Sequence, residues 1–462
     1  MNERAGAGPS VAGHGALVAG FAASAHSRLL PDPVIAKAKM HIIDTLAAIV
    51  SGSDLEAGEA GRRYAEGVGG PAVAPVLGTS LRAPLVEAAL ANGMSAHADE
   101  SDDSHEESQT HPGCGVVPAA IVVADETDAS GMAFLRATVL GYEMTIRLAT
   151  ALGSSMTFKS SSLSSHAYGP LFGAGYAAGS LMGFDAERFA ILLNYLAQEA
   201  SGLTTWRLDQ RHTLKSYVFA GMPASNGVKA AALVRSGFTG GGDALNLANR
   251  NILDAICPSP RPEALIDGLG TQYAILDTDI KNYPVGYPIA SPLAALEKII
   301  AMRNFNATDV TEIRTYYNED WYKVIGDESR MPDVNMRYCL AVTLLDGRLT
   351  FDAAHDAQRM AAPDVVNLGN RIRMLPPKPH LDRFAVRVEV DVGGEVLAAE
   401  QDRYVLGRKE NPMSRAQVHA KARELMAPVI GLDNARTAIG MVDDLDRLPR
   451  VSPLFLKLAK AI

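Results

Sequence analysis

The spacing of apolar residues changes twice along the chain, and this change restricts the folds that the chain can adopt. Up to about residue 260 apolar residues recur at helical spacing, as in the segment 34–49. The segments 309–317 and 383–392 alternate instead, which is the period of a strand with one buried face. Helical spacing then returns in the segment 411–426. The pattern predicts helices at both ends of the chain and a sheet between them.

The length of the chain supports more than one folding unit. At 462 residues it exceeds the size at which one hydrophobic core usually stops growing. Gly393-Gly394 predicts a tight hairpin inside the alternating part, and Ser414 predicts a helix N-cap. We predict a mainly α protein, in which residues 1–268 and 408–462 form a large all-helical domain and residues 269–407 form a smaller inserted α+β domain.

Charge and cysteine usage exclude several classes of protein. The formal net charge is −9 and no basic cluster is present, which argues against nucleic-acid binding. Cys114, Cys257 and Cys339 lie far apart without a CxxC pair, so no disulfide framework or zinc knuckle is expected, and an iron–sulfur cluster stays a minor alternative. The N-terminal segment does not read as a secretory signal, and no window has the ~20 apolar residues of a membrane span. We expect a cytoplasmic protein.

The stretch AHADESDDSHEESQTHPGCG, residues 96–115, concentrates acidic and imidazole groups between two apolar helical patterns. A solvated loop would tolerate it. An EF-hand needs Gly where Ser104 stands, and a zincin needs a second His where Gln109 stands. An aspartate-rich magnesium–diphosphate site stays an alternative, although no second acidic motif is found. His111 precedes Pro-Gly and a helical run, so it lies near a helix N-terminus that favours an anion.

Six segments, in order along the chain, resemble the motifs of the MmgE/PrpD family. They are HADESDDSH…THPG, SSHAYGPLFGAGYAAGSLMGFD, HTLKSYVFAGMPASNGV, DIKNYPVGYPIASPLAALE, NMRYCLAVTLLDG and ENPMSRAQVHAK. The resemblance implies a large helical domain with an α+β lid domain, usually in a homodimer. It also implies the activity of a 2-methylcitrate dehydratase, a cis-aconitate decarboxylase or an iminodisuccinate epimerase. The Ser-rich segment 154–166, which overlaps the second motif, predicts a loop.

The resemblance implies two sets of site residues. The catalytic set is His111, His166, Lys215 and Lys281; the substrate-binding set is Glu100, Asp103, Ser104 and Tyr283, with Arg211 and His212 added because they precede Lys215 closely. Removing a proton next to a carboxylate builds negative charge, which ammonium or imidazolium groups must hold. A second titrating group then protonates a leaving hydroxyl or the opposite carbon.

The sequence therefore predicts a lyase or isomerase, without metal or cofactor, that acts next to a carboxylate of a small di- or tricarboxylic acid. A reaction like that of 2-methylcitrate dehydratase is the first expectation, and decarboxylation or epimerisation is the alternative. A catalytically silent carboxylate-binding scaffold also stays open. Many members carry a His about nine residues after Lys-x-Tyr-Pro, where this chain has Ile289-Ala290-Ser291. Neither a nucleic acid nor a membrane is an expected partner, whereas a second copy of the chain is.

Overall fold

The computed structural model describes residues 13–153, 161–241, 243–245, 251–326 and 329–460. The prediction about a secretory signal rests mainly on residues 1–12, and the loop prediction partly on residues 154–160; both lie outside these ranges. The protein is mainly α, as predicted. The α-helices are α1 His14–Ser24, α2 Asp32–Gly52, α3 Glu56–Val68, α4 Leu85–Ala96, α5 Pro112–Glu126, α6 Gly131–Ala151, α7 Ser165–Leu181, α8 Ala186–Glu199, α9 Thr213–Ser216, α10 Met222–Arg235, α11 Ile252–Ile256, α12 Ala290–Met302, α13 Glu319–Ile325, α14 Met336–Asp346, α15 Phe351–Ala354, α16 Ala357–Met360, α17 Pro363–Gly369, α18 Arg415–Ile430, α19 Leu432–Asp443 and α20 Ser452–Lys457.

Local sequence signals fix several helix ends. Pro33 occupies the first turn of α2, where its missing N–H costs nothing, and the helix ends at Gly52 as predicted. Ser414 is the N-cap of α18, and its side chain forms a capping box with Gln417. The loop predicted for residues 154–166 ends earlier than expected, because Ser165 and His166 already belong to α7.

The strands form two sheets. They are β1 Ala74–Pro75, β2 Arg82–Ala83, β3 Val310–Tyr316, β4 Ile372–Leu375, β5 Val386–Val392 and β6 Glu395–Gln401. The first two pair with each other, and the other four follow the order β4-β3-β5-β6. The predicted hairpin is confirmed, since Val392 pairs with Glu395 across Gly393 and Gly394, whose φ angles are +63° and +88°. The parallel strand β4 was not predicted.

The hydrophobic residues pack into separate cores. One core combines Ile42 and Leu46 near the start of the chain with Leu425 and Ile439 near its end. A different core includes the buried valines of β5 and lies within residues 283–401, which we call the sheet unit. This arrangement agrees with a helical part built from both ends of the chain; the exact domain boundaries and the role of the sheet unit as a lid stay predictions.

No α-helix of the described part of the chain combines the length and the apolar character that a membrane span requires.

Candidate active site

The acidic stretch that follows α4 is buried, so the solvated-loop interpretation is wrong. His97, Asp99, Glu100, Asp102 and Asp103 are at most 2% exposed. Charged groups are buried at this density only when each finds a partner of opposite charge or a hydrogen bond. The partners come from distant segments of the chain.

Glu100 is the centre of the first group of contacts. Its carboxylate forms an ion pair with Lys215 and accepts a hydrogen bond from His212 Nε2 at 3.0 Å. Lys281 Nζ lies 3.3 Å from the second carboxylate oxygen and donates to the Glu100 carbonyl at 2.8 Å. Three cationic or imidazole side chains therefore converge on one carboxylate, and the structure brings together four of the predicted site residues.

Backbone strain coincides with this contact. Glu100 and His212 have φ angles of +55° and +63°, in the left-handed region that non-glycine residues rarely adopt. They are two of only four such non-glycine residues in the described part of the chain. Strain of this kind persists where surrounding contacts enforce it, and it concentrates at functional sites.

Asp102 forms the second group of contacts. Its Oδ2 accepts from Nδ1 of His97 at 2.9 Å and from Nδ1 of His111 at 3.1 Å. Burial alone would raise the pKa of Asp102, but His97, His111 and Lys281 hold it well below its usual range. An ionised Asp102 fixes both rings with the proton on Nδ1, which leaves Nε2 of each ring as a base. Burial holds the pKa of His97 well below its ordinary value, so this imidazole is neutral.

The remaining catalytic candidates lie beside these groups. The ring centroids of His111 and His166 are 5.3 Å apart, and the Nδ1 atom of His166 is buried without a hydrogen-bond partner among the described residues. Burial lowers the pKa of His166 well below its ordinary value. Burial also lowers the pKa of Lys215 to about 7, against the opposing charge of Asp333. Lys215 can therefore exchange a proton near neutral pH.

Phe219 separates two of the imidazoles. Its ring stacks on His166 at 4.0 Å and on His97 at 4.4 Å between centroids. It belongs to a single π-helical turn, Tyr217–Gly221, between α9 and α10. Such turns interrupt α-helices frequently at functional sites.

Asp103 and Ser104 were predicted to bind substrate, but the structure gives Asp103 a different set of contacts. Its Oδ2 accepts from His41 at 2.7 Å and from Tyr142 at 2.5 Å, and its Oδ1 accepts from the Gly113 amide at 2.9 Å. The anion expected at the N-terminus of α5 is therefore this carboxylate. The Ser104 hydroxyl, by contrast, is buried without a hydrogen-bond partner in the described residues.

Contacts with distant segments of the chain also fix the backbone of the acidic stretch. Lys421 of α18 donates to the Ser101 carbonyl at 2.7 Å and to Asp44 at 2.6 Å. The backbone of Ser104 exchanges two hydrogen bonds with Asp279, two residues before Lys281. These contacts position Glu100 and Lys281 against each other.

Two predicted site residues are not brought into this group. The side chain of Arg211 is 74% exposed and pairs with Glu56 at the surface. The Tyr283 hydroxyl donates to Glu297 of α12 at 2.7 Å. Arg211 was assigned from its closeness in sequence to Lys215, and Tyr283 from the family motif, and neither determines where a side chain points.

Sequence analysis missed two groups that the sheet unit contributes. Asp333 Oδ2 lies 3.6 Å from His212 Nε2, and His355 Nε2 lies 3.0 Å from the Asp99 carbonyl oxygen. Many family members carry a His near the position of residues 289–291, where this chain has none. His355 supplies an imidazole from the same sheet unit. Asp333 stands two residues before one of the six segments, and no pattern marks His355.

One group could hold a metal ion among the described residues. Ligand atoms of His97, Asp102 and Cys114 lie within 4.8 Å of one another, and all three residues are buried. Burial raises the pKa of the Cys114 thiol well above its ordinary value, which disfavours the thiolate that metals bind. The donor set therefore fits a metal poorly.

Comparison with known proteins gives matches over most of the chain. The family model described as the MmgE/PrpD N-terminal domain matches residues 17–264, and that of the MmgE/PrpD C-terminal domain matches residues 283–447. A cis-aconitate decarboxylase of Aspergillus terreus is 24% identical over 92% of this chain and 91% of its own length. The human cis-aconitate decarboxylase is 23% identical over 92% of this chain and 90% of its own.

Proposed function

Because the chain belongs to the MmgE/PrpD family, as both family models match it, we propose that it is a lyase that removes a proton next to a carboxylate of a small hydroxy acid and expels the hydroxyl as water. The family and the similar proteins are enzymes that act on carboxylic acids. The choice of dehydration, as in 2-methylcitrate dehydratase, is our proposal. It needs neither a metal nor an organic cofactor.

The observation that carries the proposal is the convergence of Lys215, Lys281 and His212 on the Glu100 carboxylate. These groups form a carboxylate-binding arrangement beside two imidazoles. A substrate carboxylate that displaces the Glu100 side chain would meet the same donors. The two ammonium groups would then stabilise the charge that develops on that carboxylate when the neighbouring C–H bond breaks.

His111 is the proposed base. Its Nδ1 is held by Asp102, and its side chain is 10% exposed, whereas the side chain of His97 is fully buried. Nε2 of His111 would accept the proton from the carbon next to the carboxylate. The C–H electron pair then forms the double bond, and the C–O bond breaks as the hydroxyl takes a proton from a second group and leaves as water.

Decarboxylation is a second candidate, because the two similar proteins are cis-aconitate decarboxylases. In that reaction the carbon would receive a proton, from His111 or from Lys215 with its pKa of about 7. Both reactions need the same cations and the same imidazole.

One experiment tests the proposal and separates the candidates. EDTA-treated protein is incubated in D₂O with a panel of hydroxy and unsaturated di- and tricarboxylic acids, and the products are followed by NMR. We expect an alkene product and deuterium next to a carboxylate for at least one hydroxy acid. Release of CO₂ instead would favour decarboxylation. Activity that appears only with Mg²⁺ or iron, or binding without turnover or deuterium exchange, would refute the proposal, and the latter result would favour a silent scaffold.

A further inference from the structure

Asp333 is a buried carboxylate without a hydrogen bond. It is 3% exposed, lies in the 3₁₀ turn Pro332–Val334 of the sheet unit, and its side-chain oxygens accept no hydrogen bond from any residue of the described part. Its nearest basic neighbours are Nε2 of His212 at 3.6 Å and Nε2 of His355 at 3.8 Å. Both distances are too long for a hydrogen bond. The Asp333 carboxylate can therefore accept a hydrogen bond from a ligand.

The neighbouring imidazoles direct their protons elsewhere. Nε2 of His212 donates to Glu100 at 3.0 Å. His355 faces carbonyl oxygens on both sides, with Nδ1 2.8 Å from Phe351 O and Nε2 3.0 Å from Asp99 O. Carbonyl oxygens only accept, so a proton on Nε2 of His355 points at the Asp99 carbonyl and not at Asp333.

A carboxylate can only accept hydrogen bonds. A substrate group that lies against it must therefore be a donor, and a carboxylate there would be repelled. Glu100 and Asp102 place two further buried carboxylates nearby, which adds to the repulsion of a carboxylate at this position.

We propose that Asp333 binds a hydrogen-bond donor on the substrate skeleton, the hydroxyl of a hydroxy acid, and so selects hydroxy acids against analogues that carry hydrogen or a further carboxylate at that position. The inference rests on the proposed function, because it requires that the site binds carboxylic acids. The same hydroxyl is the group that a dehydratase expels, so Asp333 would hold the leaving group while Lys215 and Lys281 hold the carboxylate. A protonated amine offers the same donor chemistry.

The test measures binding of four probes by isothermal titration calorimetry. Malate carries a hydroxyl, succinate has hydrogen in its place, aspartate has an ammonium group, and tricarballylate has a third carboxylate. We expect the intact protein to bind malate about 10- to 100-fold more tightly than succinate, the usual range for a hydrogen bond to a charged group, and tricarballylate most weakly. If aspartate binds more tightly than malate, the donor is an amine and the assignment to a hydroxyl is overturned.

Two variants connect this preference to the residue. Asp333→Ala should abolish the difference between malate and succinate, and Asp333→Asn should keep part of it, because the amide oxygen still accepts. Both should bind tricarballylate more tightly than the intact protein does. Asp333→Asn is isosteric and serves if the alanine variant fails to fold. Glu319→Gln, an exposed acid of the sheet unit, is the matched control and should change none of these constants.

Equal affinity of the intact protein for malate and succinate would overturn the proposal, as would an unchanged ratio in both Asp333 variants. The ratio is measured without turnover. A retained ratio with no reaction of any acid would support the role of Asp333 and refute the proposed reaction. Failure of all four acids to bind would overturn both.

Discussion

Substitution of Asp103 tests whether this carboxylate holds the acidic loop in place through its hydrogen bonds or binds substrate. In Asp103→Asn, one of the two carboxylate oxygens becomes an NH₂ group. That group must then face either the Gly113 amide or the pair formed by His41 and Tyr142, all of which donate to Asp103. At least one buried donor therefore loses its acceptor, and the other contacts lose the negative charge.

The size of the effect follows from these bonds. Hydrogen bonds to a charged group contribute about 1.5–3 kcal/mol each, against about 1 kcal/mol for neutral ones. Losing one such bond and weakening two others should lower the free energy of unfolding by about 3–5 kcal/mol, the range found when one partner of a buried ionic contact is removed. Tyr142→Phe removes one donor and keeps the carboxylate, so it should cost less.

The assay is urea unfolding followed by circular dichroism, with substrate kinetics in parallel. Glu107→Gln is the control, because that side chain is 76% exposed and should change stability by no more than about 0.5 kcal/mol. Gly113→Ala offers an independent perturbation, since its Cβ would lie 2.5 Å from Thr45 Oγ1 and 2.7 Å from the Tyr142 hydroxyl oxygen. If Asp103→Asn unfolds like the intact protein and only raises KM, the carboxylate contacts substrate and the present reasoning fails.

The remaining predictions concern catalysis and assembly. His111→Ala should lower kcat by ~10²–10⁴-fold with folding nearly intact. Lys215→Ala should lower kcat by a similar factor and also destabilise the fold, because the buried Glu100 carboxylate loses its ion-pair partner. The double variant should lose far less activity than the product of the two losses, as steady-state kinetics would show; losses that multiply would contradict a shared transition state. Burial lowers the pKa of Lys215 to about 7, so its ammonium form is lost as pH rises through that value. The pH profile of kcat/KM should then fall about tenfold per unit above it, and Lys215→Arg should remove this limb; a profile of the intact enzyme that stays flat to pH 9 would count against the role. Glu107→Ala should leave turnover almost unchanged. If Glu107→Ala loses activity while His111→Ala stays active, the catalytic role was assigned to the wrong residues of the loop. We also propose a homodimer, supported by exposed Leu203, Leu208, Leu214 and Tyr217 on one segment; a monomer in light scattering at micromolar concentration would refute it.

Sequence patterns predicted the parts of this protein that depend on local order. The valines of β5, the hairpin at Gly393-Gly394 and the cap at Ser414 each follow from spacing or from one backbone preference. The motifs also identified Glu100, His111, Lys215 and Lys281, which do meet.

Side-chain direction and contacts between distant segments were not predictable in the same way. The acidic stretch gives no sign that Asp103 faces Tyr142 while its neighbour Asp102 faces two imidazoles. Arg211 precedes His212 by one position, yet only the left-handed backbone at His212 turns that ring inward. Asp333 and His355 reach the site only because the sheet unit packs against it, and a single sequence does not reveal that packing.

The hydrogen bond from Lys421 to Ser101 has a consequence for synthesis on the ribosome. The lysine follows the serine by 320 positions, which at ~5–20 residues per second corresponds to about 16–64 s of translation. During that interval the whole sheet unit is synthesised, while Ile42 and Leu46 still lack Leu425 and Ile439. The smaller unit can therefore fold first, and the nascent helical part exposes an apolar face that chaperones would bind. A released chain that ends near residue 410 should contain a protease-resistant sheet unit and an unformed site loop.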